Sequence, residues 1–148
     1  MKCVVTGAAG FIGSHLAESL VRDGHDVVGV DCFTDYYPRE VKERNVAALR
    51  EDRRFQLVEV PLQDLDLAPI LDGAGQVFHL AAQAGVRASW GREFAQYTDH
   101  NVLATQRLLE AALAARTPRL VYASSSSVYG DAASLPLRED AVCRPLSP

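Results

Sequence analysis

The sequence predicts an α/β protein in which a doubly wound parallel sheet carries helices on both faces. Two observations lead to this prediction. Short apolar runs alternate along the chain with longer amphipathic segments, and the first apolar run leads directly into a glycine-rich turn followed by a helical pattern. Each apolar run is nearly continuous, as expected for strands that are covered on both faces. Right-handed crossovers between successive strands then give a parallel sheet.

The elements can be placed from the same patterns. We predict strands near residues 2–6, 26–30, 55–60, 76–80 and 119–123, and helices near 11–23, 38–51, 66–72 and 92–116. The last of these helices is rich in Ala and Leu, and we expect Arg107 and Glu110 to point outward from it. Residues 130–148 hold several prolines and no sustained period, which predicts a surface loop.

The turn after the first strand has the features of a phosphate-binding site. Gly7, Gly10 and Gly13 separate the apolar run Cys3–Val5 from the helical pattern that begins near Phe11. Gly7 permits a tight turn, Gly10 allows a ligand to approach the backbone, and Gly13 allows close packing of the helix. The amides at the start of the helix then face a pyrophosphate, which is typical of a Rossmann-type dinucleotide site. The alternative is a tight strand–helix turn with no ligand.

An acidic residue at the end of the second predicted strand supports the dinucleotide interpretation. Asp31 follows the run Val27–Val30 at about the spacing where a carboxylate binds a ribose diol. Cys32 and Phe33 come next, so no cation directly follows to neutralise a 2′-phosphate. The sequence therefore favours NAD over NADP.

Composition excludes several classes of function. The chain has 148 residues, 48% of them hydrophobic, and a net charge of −4, which gives no reason to expect a nucleic-acid partner or an anionic membrane surface. No apolar run approaches the roughly 20 residues of a membrane span. Cys3, Cys32 and Cys143 lack metal-ligand spacing, so we expect no metal site. Free thiols of this kind fit a reducing cytoplasm.

The fourth predicted strand ends in small residues, which leave room for a flat ligand at the carboxyl edge of the sheet. Arg87 is the one cation in the stretch 77–87, and it either pairs with a phosphate or carboxylate or forms a surface salt bridge. His79 lies inside the apolar run, so we expect a hydrogen-bonded core histidine rather than a catalytic one. Asn101 is a poor residue for a helix interior, and we expect it to anchor a neighbouring loop or the cofactor.

A run of serines follows the fifth predicted strand. Ser124, Ser125, Ser126 and Ser127 stand between Val121-Tyr122 and Val128-Tyr129, which argues against a flexible serine linker. At the carboxyl end of a parallel strand, their hydroxyls face the same crevice as the glycine turn. A Ser-His-Asp hydrolase is not indicated, because the sequence has no Gly-x-Ser-x-Gly turn.

Taken together, these segments resemble the extended short-chain dehydrogenase/reductase superfamily, in its NAD-dependent epimerase/dehydratase branch. Two further segments, Asp35–Tyr37 with Lys42 and Ala82–Arg87, look like those of UDP-glucuronate 4-epimerases. The resemblance covers nearly the whole chain. It implies tightly bound NAD, a UDP-sugar substrate and interconversion of UDP-glucuronate and UDP-galacturonate. It also implies a homodimer formed through two helices, one of them near 92–116.

The resemblance also assigns roles to residues of this sequence. Bound NAD takes a hydride from the sugar C4, and the 4-keto sugar rotates before the hydride returns. Ser125 matches the hydroxyl that assists the catalytic base. The positions that match substrate contacts are Gly85, Val86, Arg87, Ser125, Ser126 and Ser127. The positions that match cofactor contacts are Gly7, Ala9, Gly10, Phe11, Ile12, Gly13, Asp31, Phe33, Leu62, Leu80, Ala81, Ala82, Gln83, Asn101 and Ala123.

The sequence departs from the family pattern at its end. The family's Tyr-x-x-x-Lys follows a Ser-Pro pair such as Ser147-Pro148, where this sequence stops. We therefore expect residues 1–148 to be the NAD-binding part of a larger enzyme, with the catalytic Tyr and Lys and a C-terminal substrate lobe beyond Pro148. On that interpretation the 148 residues alone are inactive.

A second departure concerns the adenine. The family places Gly-Asp after the third strand, whereas this sequence has Val60-Pro61. Pro61 has no carboxylate, so we expect adenine to be held more weakly or differently, through Leu62, Gln63 or Asp64.

Three functions remain open at this point. The first is a UDP-uronic acid 4-epimerase. The second is another UDP-sugar epimerase, dehydratase or decarboxylase on the same scaffold. The third is a non-catalytic NAD-binding module that never contained the Tyr and Lys.

Overall fold

The structure, a computed structural model, describes residues 1–131 and 135–147. Within them the chain forms five β-strands: β1 (Lys2–Thr6), β2 (Asp26–Val30), β3 (Phe55–Val58), β4 (Ala74–His79) and β5 (Leu120–Tyr122). All of the strand pairs are parallel, and the order across the sheet is β3-β2-β1-β4-β5. The predicted α/β class with a doubly wound parallel sheet is confirmed.

Helices cover both faces of this sheet. The α-helices of the described residues are α1 (Phe11–Arg22), α2 (Arg39–Arg50), α3 (Leu67–Leu71), α4 (Phe94–Tyr97) and α5 (Ala104–Ala114). Short 3₁₀ turns lie at Leu62–Asp64, Arg87–Ser89, Gly91–Glu93 and Ser126–Tyr129. The predicted positions of the first three α-helices and of all five strands agree with these bounds to within two residues.

The central strand explains why the sheet needs cover on both sides. Cys3, Val4 and Val5 of β1 are fully buried. Because side chains alternate along a strand, Cys3 and Val5 pack into the cluster with Val27 and Val46, while Val4 packs into the opposite cluster around Leu108. Burial of such a side chain contributes about 1.5–3 kcal/mol. The continuous apolar run is thus divided between two cores.

The predicted long helix at 92–116 is wrong as a single helix. The chain instead passes from α4 into a π-helical segment, Thr98–Leu103, before α5 begins. A π segment holds an extra residue in the turn and is frequent at functional sites. Asn101 lies in this segment and bonds to a neighbouring loop, as expected for a residue that suits a helix interior poorly, but the helical pattern did not predict the π segment itself. Arg107 and Glu110 are exposed, as predicted.

The region beyond residue 130 has no helix or strand at residues 135–147, in agreement with the predicted loop. Its apolar residues Leu135 and Val142 are 82% and 70% exposed. Residues 132–134 and Pro148, which the same prediction covers, lie outside the described residues. In the described part of the chain, no helix has the length and apolar character needed to cross a membrane.

Candidate functional site

The glycine turn joins β1 to the start of α1 at the carboxyl edge of the sheet. Gly7 has φ +71°, a conformation that L side chains rarely adopt, so glycine is required there. A Cβ at Gly13 would overlap the Gly7 carbonyl oxygen and lie 2.7 Å from its carbon, so the first turn of α1 packs against the glycine turn itself. The N–H groups at the start of α1 have no helical partners, which makes this helix end an anion site.

Asp31 lies just beyond β2, beside this turn, and both of its carboxylate oxygens accept hydrogen bonds. The Ala9 N–H donates to Oδ2 at 3.0 Å, and the Phe33 N–H donates to Oδ1 at 2.8 Å. The Lys42 ammonium lies 3.1 Å from the same Oδ1. Ala9 and Phe33, both predicted as cofactor contacts, therefore orient the acid through their backbone amides.

Lys42 corrects one sequence argument. The sequence provides no cation directly after Asp31, but α2 brings Lys42 to it from eleven positions further along the chain. Both side chains are buried, at 7% exposure for Lys42 and 6% for Asp31. The ammonium also lies 5.3 Å from the centre of the Tyr37 ring, within the range of a cation–π contact. The expectation that a 2′-phosphate at Asp31 would meet no cation was wrong, because Lys42 lies beside the carboxylate.

A cavity of about 330 Å³ opens above the glycine turn. Most of the residues predicted to contact a cofactor line it: Gly7, Gly10, Phe11, Ile12, Gly13, Asp31, Leu62, Leu80, Ala81, Ala82, Gln83 and Ala123. Ala9 and Phe33 act through Asp31, and Asn101 lines a neighbouring cavity instead. The cavity thus runs along the carboxyl ends of the strands, with the helix start at its middle.

One end of the cavity lies near β3, where the sequence has Val60-Pro61 in place of the family's Gly-Asp. Between β3 and α3, the lining residues are Val60, Leu62 and Gln63. Leu62 is buried, and the Gln63 side-chain oxygen is buried without a hydrogen-bond partner in the described structure. Asp64 is exposed and outside the lining, so two of the three proposed adenine contacts face the cavity.

A buried hydroxyl fixes the backbone at the other end. The Thr6 Oγ1 accepts hydrogen bonds from the N–H groups of Leu80 and Ala81, each at 3.1 Å. Its own hydrogen is therefore available to His79 Nδ1, 2.7 Å away. The imidazole must accept at Nδ1 and carry its proton on Nε2, which donates to Thr105 Oγ1 at 2.9 Å.

This arrangement holds His79 neutral. Protonation of Nδ1 would remove the acceptor for the Thr6 hydroxyl, and burial by itself lowers the pKa of His79 below its ordinary value of 6.5. The prediction of a hydrogen-bonded core histidine is confirmed. His79 is therefore a link between β1, β4 and the first turn of α5, with no exposed proton for chemistry.

Asn101 clamps the loop that follows β4. Its side-chain oxygen accepts the Gln83 N–H at 2.7 Å, and its amide nitrogen donates to the Gln83 carbonyl at 3.1 Å. The Thr105 hydroxyl donates to the Asn101 carbonyl at 2.6 Å, which ties this clamp to His79. The predicted anchoring of a neighbouring loop is confirmed, and the loop it anchors lines both cavities.

The second cavity, of about 540 Å³, adjoins the first along the wall Leu80–Ala84 and Ala123. Ser124, Ser125 and Ser127 line it, as expected for the serine run. The Ser125 Oγ accepts the Ser127 N–H at 3.1 Å and thereby caps the 3₁₀ turn. Because the hydroxyl uses a lone pair for this bond, its hydrogen remains available to a ligand.

The predicted substrate contacts divide into two groups. Gly85, Val86, Ser125 and Ser127 line the second cavity. Arg87 and Ser126 are exposed and lie outside the lining of both cavities. In the described residues, no cluster of three or more His, Cys, Asp or Glu side chains can hold a metal ion.

The arrangement combines a glycine-turn cavity with an adjoining hydroxyl-lined cavity. Comparison of the sequence with known protein families identifies the family to which it belongs. A family model described as the NAD dependent epimerase/dehydratase family matches residues 3–148. The chain belongs to this family. It is 46% identical over 149 residues to an uncharacterized UDP-glucose epimerase, YtcB, of Bacillus subtilis (strain 168), covering 100% of this chain and 47% of that protein.

Two further epimerase/dehydratase relatives are close. A probable UDP-glucuronate 4-epimerase of Rhizobium meliloti (strain 1021) is 42% identical over 142 residues, covering 94% of this chain and 41% of that protein. The crystal structure of UDP-glucuronic acid 4-epimerase from Bacillus cereus, in complex with UDP-glucuronic acid and NAD, is 42% identical. It superposes with a TM-score of 0.94 over 99% of this chain and 47% of that one. The chain therefore spans less than half the length of these relatives.

In this member of the epimerase/dehydratase family, Tyr97 is a positioning residue that the sequence patterns did not reveal. Tyr97 is buried, and its hydroxyl lies 2.9 Å from the Ala84 carbonyl and 2.6 Å from the Gly85 carbonyl. It thereby supports a loop in which Gly85 has φ +102°. The available signal was a tyrosine four residues before Asn101, a residue that suits a helix interior poorly.

Proposed function

We propose that this chain binds NAD in the first cavity and forms part of a UDP-sugar 4-epimerase that interconverts UDP-glucuronate and UDP-galacturonate. The observation that carries the proposal is the shared wall between the two cavities, Leu80–Ala84 and Ala123. A dinucleotide that lies in the first cavity, with one end on this wall, presents that end to a sugar in the second. Family membership and the named relatives support the same reaction class.

The residues of the first cavity fit a dinucleotide. Gly13 and Gly7 make a cradle that a Cβ would fill, and the α1 start supplies N–H donors for a pyrophosphate. Asp31 lies where an adenosine ribose would meet a carboxylate. Since Lys42 is already paired with Asp31, the pair offers no surplus positive charge to a 2′-phosphate. We therefore propose NAD rather than NADP, on different grounds from those the sequence offered.

When bound, NAD would supply the hydride acceptor and donor for the sugar C4. In the chain itself, Ser125 keeps a hydroxyl hydrogen free to donate to a sugar oxygen. By resemblance to the family, the general base and its lysine partner lie beyond Pro148. Replacement of Ser125 by Ala in the full natural protein should lower kcat by roughly 10²- to 10⁴-fold and leave NAD affinity unchanged. A loss confined to NAD binding would remove Ser125 from this role.

The uronate specificity is supported by the hydroxyls of Ser125 and Ser127, which line the second cavity and can donate to a sugar carboxylate. The test is turnover by the full natural protein with UDP-glucuronate, followed by separation of UDP-galacturonate. Activity on UDP-glucose or UDP-galactose alone would establish a neutral-sugar epimerase, the alternative favoured by the name of the Bacillus subtilis relative. A 4-keto-6-deoxy sugar, or a pentose with CO₂, would establish a dehydratase or a decarboxylase. NAD binding without turnover of any of these sugars would favour a non-catalytic module.

We also propose that two copies associate through the outer face of α5. Leu109 and Leu113, four positions apart on one face, are 50% and 81% exposed. A contact between copies would remove this apolar area from water. Light scattering should give a dimer mass for the natural protein and a monomer mass for Leu113→Glu, whereas a monomeric wild type would reject the proposal.

A further inference from the structure

We propose that the Gln63 carboxamide accepts the hydrogen bond of the adenine 6-amino group and sets the base selectivity of the site. This inference rests on the proposed binding of NAD in the first cavity. It concerns the adenine end of the cavity, where this sequence has Pro61 in place of the family's Asp.

The strand order fixes where the adenine must lie. Beyond β1, the sheet continues through β2 to β3 at its edge. Asp31, at the end of β2, would take the adenosine ribose, and β3 is the next strand outward. The base attached to that ribose therefore extends toward the residues that follow β3, where Val60, Leu62 and Gln63 line the cavity.

Few groups at this end can accept a hydrogen bond from an amino group. Val60 and Leu62 have apolar side chains, and Pro61 has neither a polar side chain nor an N–H. The Pro61 carbonyl already accepts the Asp64 N–H at 2.9 Å, and the Asp64 side chain is exposed outside the lining. Of the cavity-lining residues between β3 and α3, only Gln63 has a polar side chain.

The side-chain oxygen of Gln63 also lacks a hydrogen-bond donor in the described structure. This atom, Oε1, is buried. An unpaired buried acceptor is costly, and an adenine amino group in the cavity would relieve that cost. The terminal torsion of a glutamine is soft, so a rotation of the carboxamide can turn the oxygen toward a bound base.

The contact can be measured with a cycle of two proteins and two cofactors. The proteins are wild type and Gln63→Leu, in the full natural protein freed of bound nucleotide. The cofactors are NAD and nicotinamide purine dinucleotide, in which hydrogen replaces the 6-amino group. Titration calorimetry gives the four dissociation constants. We expect wild type to favour NAD by about 3- to 10-fold, the range of one neutral hydrogen bond, and Gln63→Leu to bind both cofactors equally.

An equal preference for NAD in wild type and Gln63→Leu would overturn the assignment. Asp64→Asn is the matched control, and it should keep the wild-type preference. If Gln63→Leu does not fold, Gln63→Glu replaces it, and a charged acceptor should raise the preference for NAD to tenfold or more, whereas an unchanged preference would refute the contact. If wild type does not bind NAD at all, the proposed function itself fails, which is a different result from NAD binding with no coupling to Gln63.

Discussion

Removal of the positive charge from Lys42 tests whether the pair with Asp31 organises the cofactor end of the site. Lys42→Met keeps a long, flexible side chain but deletes the ammonium that lies 3.1 Å from Asp31 Oδ1. Both side chains are nearly inaccessible to water, so the carboxylate would be left buried without its partner. Such a change typically costs about 3–5 kcal/mol. Because Asp31 keeps the N–H donors of Ala9 and Phe33, we expect the lower end, about 3 kcal/mol.

Urea unfolding at neutral pH measures this loss. With a slope of about 2 kcal/mol/M, a loss of 3 kcal/mol moves the midpoint down by about 1.5 M. Arg39→Met is the matched control, since Arg39 lies on the same helix and pairs with Glu43 and Glu59 at the surface. An exposed pair contributes little, so its midpoint should hardly move.

Two outcomes would refute the reasoning. Equal midpoints for Lys42→Met and Arg39→Met would mean that burial does not strengthen the dependence of Asp31 on its partner. The double variant Asp31→Asn with Lys42→Met should be less destabilised than the sum of the single changes, because the second change removes the uncompensated charge. Strict additivity would show that the two side chains do not interact.

Three further predictions concern other parts of the site. Gly13→Ala should abolish NAD binding, because a Cβ there overlaps backbone, whereas Gly73→Ala, with φ +67° and open space around it, should leave binding intact; equal effects would refute the steric argument. The lowered pKa of His79 means that the unfolded chain binds more protons, so its contribution to stability is present above about pH 6.5 and is lost as pH falls toward the lowered pKa. Urea unfolding should show this acid loss in wild type and a weaker one in His79→Gln, and identical slopes would contradict it. Asn101→Ala should cost about 1–3 kcal/mol and speed hydrogen exchange at the Gln83 amide, and unchanged exchange would exclude the clamp.

Local patterns were sufficient to predict much of this molecule. The strand Lys2–Thr6, the glycine turn and the helix from Phe11 are adjacent in sequence, so the pattern of each one supports the prediction of the next. The serine run was placed at a sheet edge because it follows an apolar strand, and three of its four residues line the second cavity. Because parallel strands end at the same edge of the sheet, residues that directly follow different strands meet there.

The features that escaped prediction depend on contacts between distant segments. Lys42 meets Asp31 only because α2 turns one particular face toward β2, and the spacing along the chain does not reveal that rotation. The π segment Thr98–Leu103 carries residues that suit an α-helix equally well. What distinguishes it is the Asn101 clamp on the Gln83 backbone, a tertiary contact that overrides the local period.

The strand order separates the two ends of the site along the chain. One end is built from residues up to Gln63, on the β2 and β3 side of β1, and the other from residues after His79, on the β4 and β5 side. Substitutions in separate segments without shared partners usually combine additively. Under the proposed function, the preference for a nucleotide base and the preference for a sugar can therefore change independently, and a substitution selected for one can be combined with a substitution selected for the other.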